Sequence, residues 1–123
     1  MNRNGYQQYK EQSVNTMTRG EMLLLLYDEL LKRLTRAELA LEKKDYGLFE
    51  KSVNRCGEII TYLKDSLNYE YPISNELRRM YDFFLYELGR IEAGRNREVI
   101  EELRPLVTEL RDAFGEADKK VRM

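Results

Sequence analysis

Four times along this 123-residue chain, apolar side chains recur at alternating steps of four and three residues, and no other feature restricts the fold as much. The first series is Leu23, Tyr27, Leu30, Leu34, Ala37 and Leu41, and the second is Phe49, Val53, Cys56, Ile60, Leu63 and Leu67. The third is Leu77, Tyr81, Phe84, Leu88 and Ile91, and the fourth is Val99, Leu103, Leu106 and Leu110, closed by Ala113 or Phe114. A mean step of 3.5 keeps each series on one face of an α-helix. Four such helices joined by short connections can bury those faces only against one another, so the expected fold is all-α, an antiparallel four-helix bundle.

The punctuation between the series agrees. Thr18 followed by Glu21 has the spacing of a capping box, in which each side chain takes an orphan amide of the first turn. The run Lys43-Lys44-Asp45-Tyr46-Gly47 separates the first two series, and Asn68-Tyr69-Glu70-Tyr71-Pro72 ends the second, because proline cannot continue a helix from the preceding turn. Ser74 is the expected cap of the third helix, which stops near Ala93-Gly94, and Asn96 the expected cap of the fourth. Approximate helices are 18–44, 47–67, 74–94 and 96–115. Pro105 falls inside the last and predicts a kink, and the charged end from Glu116 to Met123 is expected to fray. Residues 1–17, rich in Asn, Gln, Ser and Tyr, show no sustained period and read as a flexible arm outside the bundle at 18–123.

Charge and composition narrow the function. The formal net charge is -1, leaving no surplus of Lys and Arg to neutralise a phosphate backbone, which disfavours nucleic-acid binding. The longest apolar run, Met22 to Tyr27, is far short of the roughly 20 residues that span a bilayer, so no membrane insertion is expected. Cys56 is the single cysteine and the opening Met1-Asn2-Arg3-Asn4-Gly5 lacks the apolar stretch of a signal peptide; a reducing cytoplasm fits best.

Catalysis is short of parts. With no histidine there is no imidazole base and no Glu-x-x-His ligand pair, so neither an enzyme nor a metal or cofactor site is expected. Glu98, Glu101 and Glu102 sit among Arg95, Arg97 and Arg104 and read as an ion-paired, solvated face. Cys56 lies on the second series and reads as a small buried hydrophobe.

Leu24, Leu31, Ile59, Met80, Phe83, Ile100 and Val107 lie off the heptad series. A wider core stripe would absorb them. A groove for a partner's amphipathic helix, with Met and aromatic side chains as adaptable contacts, would also account for them. Pattern leaves both explanations open.

Three segments carry a family resemblance. Tyr9 to Glu21, with Val14 and Thr16 inside it, runs into Leu25-Leu26-Tyr27-Asp28 and resembles the opening of FliS flagellar export chaperones. Leu77-Arg78-Arg79-Met80-Tyr81-Asp82-Phe83 is similar to that family's Leu-x-x-Leu-Tyr-Asp segment, and Val107 to Phe114 resembles its closing Leu-Arg-x-Ala-Trp. The matching motif residues are Thr16, Glu21, Leu26, Tyr27, Asp28, Tyr81 and Phe114. Arg19 departs from the family's usual proline, and Phe114 from its usual tryptophan.

The resemblance implies a cytosolic, non-catalytic chaperone that binds the disordered C-terminal segment of flagellin, prevents its premature polymerisation and keeps it fit for type III flagellar secretion. An export-gate component and a second copy of the chain are further candidate partners. On that reading Ile59, Leu63, Met80, Phe83, Phe84, Val107 and Leu110 contribute to the client groove, and Tyr9 and Val14 dock the arm over it. A non-catalytic homodimeric helical adaptor is the alternative.

Overall fold

The computed structural model describes residues 17–122, and all of its regular structure is helical: α1 (Arg19–Glu42), α2 (Tyr46–Asp65), α3 (Ile73–Gly94) and α4 (Arg97–Arg122). Each helix packs on its neighbours in a ring, α1 on α2 and α4, and α3 on α2 and α4; the α3–α4 seam is the sparsest of the four. The expected all-α four-helix bundle is the observed architecture.

The capping box forms at the start of α1. The Glu21 amide donates to Thr18 Oγ1 at 3.1 Å and the Thr18 amide to Glu21 Oε1 at 3.4 Å. This closes the first turn with Arg19 as the first helical residue. Asp45 caps α2 by accepting from the Leu48 amide at 3.2 Å, a role the sequence reading missed by placing Asp45 inside a turn.

Ser74 does not cap α3. The helix begins one residue earlier, behind Pro72, and the buried Ser74 hydroxyl turns back to donate to the Asn68 carbonyl, tying the helix to the connection before it. At the other end Gly94 stays helical and Arg95 takes the left-handed conformation, with φ 48°. That backbone is costly for a side-chain-bearing residue. The Arg95 guanidinium sits 3.7 Å from the Tyr46 ring centre, a cation–π contact joining the α3–α4 connection to the first residue of α2.

α4 runs to Arg122, past the expected fraying point at Glu116. Pro105 lies within it; the ring supplies no amide, so the Glu101 carbonyl lacks its usual helical donor. Pro105 itself is exposed, where water can take that role.

The core follows the heptad series closely on the first three helices. Tyr27, Leu30, Leu34 and Ala37 of α1, Phe49, Val53, Cys56, Ile60 and Leu63 of α2, and Leu77, Tyr81, Phe84, Leu88 and Ile91 of α3 are buried. On α4 the buried stripe is instead Val99, Ile100, Leu103 and Val107, and Leu106 is left exposed. The helix is rotated from the expected seam, so that Arg97, Arg104 and Arg111 reach α1: Arg104 Nη2 lies 2.8 Å from Glu38 Oε1, and Arg111 Nε 2.9 Å from Asp28 Oδ1. Arg97 adds contacts to Glu38 at 3.4 Å and Glu42 at 2.6 Å.

Candidate functional site

The off-series hydrophobes divide between both explanations offered for them. Ile59, Ile100 and Val107 are core residues and Leu31 packs against the core, which is the wider stripe. Met80 and Phe83 are exposed on α3. By helical periodicity those two lie on the flank of α3 nearer α4, and Leu106 and Leu110 lie on the facing flank of α4. This flank coincides with the sparsest seam of the bundle.

A second apolar surface lies at one end of the bundle. A cavity of about 280 Å³ opens between the start of α1, the end of α2 and the start of α3. Met22, Leu26, Leu63, Leu67, Leu77 and Phe114 form its walls and floor, and Tyr62, Tyr71 and Ile73, all more than half exposed, stand at its rim. Met22, Leu26 and Tyr62 also line an adjoining hollow of about 330 Å³ that continues along α1 and α2 over Ile59, beside the ion pair of Arg55 and Glu58. The two hollows make one groove with a mostly apolar lining.

Of the groove residues expected from sequence, Leu63 and Ile59 line this groove, while Phe84 and Val107 are closed into the core. Met80 and Phe83 belong to the separate α3 flank, and Leu110 is half-buried against the core. Tyr9, Val14 and Thr16 lie outside the described residues. Sequence reasoning overlooked Met22, Tyr62, Tyr71 and Ile73. The available signal was three large apolar residues, Tyr69, Tyr71 and Ile73, in and just after a connection that no core series required.

The remaining motif residues converge beneath the groove. The buried hydroxyls of Tyr27 and Tyr81 hydrogen-bond to each other across α1 and α3. Phe114 of α4 stacks on Tyr27 with ring centres 5.6 Å apart and planes 23° apart. Asp28, the next residue, holds Arg111 of α4. Tyr27, Asp28, Tyr81 and Phe114 thus join three helices at one point, which explains why a three-helix junction shows itself as three separate short motifs in sequence.

Both phenols are held in the protonated form. Burial raises the Tyr27 pKa, reinforced by the neighbouring Tyr81 and the hydrogen bond between the two hydroxyls; burial also raises Tyr81, partly offset by that same bond. Burial likewise pushes the Cys56 thiol up to about 12, and its Sγ lies 3.9 Å from the Leu30 carbonyl oxygen, so the residue is core filler as expected. Among the described residues no group of acidic or thiol side chains is placed to hold a metal, and no helix is long and apolar enough to cross a membrane.

Comparison with known proteins agrees with the motif reading over the whole length. The family model described as "Flagellar protein FliS" matches residues 2–121. The chain is 31% identical over 119 residues to the "Flagellar secretion chaperone FliS" of Bacillus subtilis (strain 168), an alignment covering 97% of this chain and 90% of the relative. On this match, and on the helical bundle that carries it, the chain belongs to the FliS family.

Proposed function

We propose that this protein is a non-catalytic flagellar export chaperone of the bacterial cytosol that binds the disordered C-terminal segment of flagellin and keeps it from polymerising before secretion. The observation that carries this reading is the continuous apolar groove from Ile59 past Leu26 and Tyr62 to Ile73. A disordered client with an amphipathic face loses apolar surface to water only when it is ordered against such a groove, which couples its folding to binding. The Met80 and Phe83 flank offers a second strip along which a wrapping segment continues. Tyr9 and Val14 of the N-terminal arm compete for the groove in the free protein, and an export-gate component receives the loaded complex.

The test is calorimetric titration with a peptide covering the last few tens of residues of the cognate flagellin, with helicity followed by circular dichroism. Binding accompanied by a gain of helix and a negative heat-capacity change is the expected result. A folded chain that ignores the peptide would end this reading. The second reading, a homodimeric adaptor, draws on the same Met80 and Phe83 flank, since exposed apolar strips favour self-association; it requires a concentration-dependent dimer and no peptide binding.

A further inference from the structure

Two hydroxyl protons meet beneath the groove, and their mutual hydrogen bond uses one of them. Tyr27 and Tyr81 each carry one donor and two acceptor positions, and each finds the other as its hydrogen-bond partner. Tyr27 is fully buried and is not part of the groove lining, whereas Tyr81, only 2% exposed, does line the cavity. A buried hydroxyl left without an acceptor is costly, so the economical arrangement has Tyr27 donating to Tyr81. In that arrangement the Tyr81 proton is the one left for an acceptor outside the pair.

We propose that Tyr81 is a specificity-determining donor of the client groove, giving its hydrogen bond to a main-chain carbonyl oxygen of the export client at a point where that client is not in the interior of a helix. This rests on the groove being the client site. Carbonyls inside a helix are already engaged by their own amides, so the acceptor belongs to an extended stretch or to a helix's last turn. A disordered secretion client brings such carbonyls along its whole length, and an apolar groove with one buried donor fixes the register in which it lies, because a misplaced client leaves that donor unpaired.

The experiment is the same peptide titration on the full chain carrying Tyr81→Phe or Tyr27→Phe, with urea unfolding of each. Loss of one neutral hydrogen bond predicts roughly fivefold weaker binding for Tyr81→Phe and a change of about twofold or less for Tyr27→Phe, which leaves Tyr81 a proton to give. Unchanged affinity in a folded Tyr81→Phe chain, or equal losses in both variants, overturns the assignment. Tighter peptide binding by Tyr81→Phe would instead mean that the donor holds the chain's own N-terminal arm, and also overturns it. In the wild-type chain, the Tyr81 hydroxyl proton should become a slowly exchanging NMR resonance on peptide addition, a readout independent of whether the variants fold; no such change counts against the proposal. Failure of the wild-type chain to bind the peptide removes the chaperone reading itself, and this inference with it.

Discussion

Phe114 lies flat against Tyr27, at 5.6 Å between ring centres, and the contact fastens the last helix to the first beside the groove floor. The ring, and not an indole N–H, is what the junction uses, since the Tyr27 hydroxyl is already paired with that of Tyr81. Phe114→Trp should therefore be tolerated, with an unfolding midpoint within a few degrees of wild type. Phe114→Ala removes a half-buried aromatic and should cost about 2 kcal/mol, below the range for a fully enclosed phenylalanine. Urea denaturation compares the three.

Glu38 makes stability depend on acid. Burial works against its charge, but hydrogen bonds and charge from Arg104 and then Arg97 outweigh it and lower its pKa in the folded chain. A carboxylate with a depressed folded pKa adds stability above its unfolded pKa and loses it as pH falls through the folded value. Glu38→Gln should thus lower stability at pH 7 by roughly 1 kcal/mol, and the gap from wild type should close as the pH drops below the ordinary carboxylate range. Urea midpoints measured at pH 7 and pH 3 decide it; a gap of equal size at both would refute the linkage.

With its thiol pushed up to about 12 and no exposed surface, Cys56 should resist alkylation. At pH 8 iodoacetamide is expected to label the native chain on the order of a hundredfold more slowly than the urea-unfolded chain. Labelling at comparable rates would place the α1–α2 interface in frequent local opening.

The two apolar surfaces can be separated by substitution. Phe83→Glu on α3 and Tyr62→Glu on the groove rim both change exposed positions, so each should leave the unfolding midpoint within about 0.5 kcal/mol of wild type. Tyr62→Glu is expected to weaken flagellin-peptide binding at least tenfold, the larger effect. Equal binding by wild type and Tyr62→Glu would move the client contact to the α3 flank.

The parts of this architecture that sequence revealed are those governed by period. Leu77, Tyr81, Phe84, Leu88 and Ile91 were legible because every one of those positions is spent on the core. Leu106 was misplaced because Val107 and Leu106 are neighbours of similar hydropathy, and the choice between them follows from Arg104 and Arg111 reaching Glu38 and Asp28 on α1, a pairing 66 and 83 residues apart in the chain. Ser74 looked like a cap because caps are local, whereas its actual acceptor, the Asn68 carbonyl, is on the far side of Pro72. The groove was half legible: Leu63 and Ile59 came from the helical pattern, but Tyr71 and Ile73 gain their role only from how α3 is set against the mouth of α1.

The tether from Ser74 to Asn68 reaches beyond the start of a helix. It ties the start of α3 to the connection carrying Tyr71, where Pro72 already fixes one backbone angle, so the end wall of the groove is built from the chain's own contacts. A receptor whose wall is built in advance contributes little ordering entropy of its own to association. For a client held there as proposed, nearly all of that loss would fall on the incoming chain, and its residence time would follow how readily it folds.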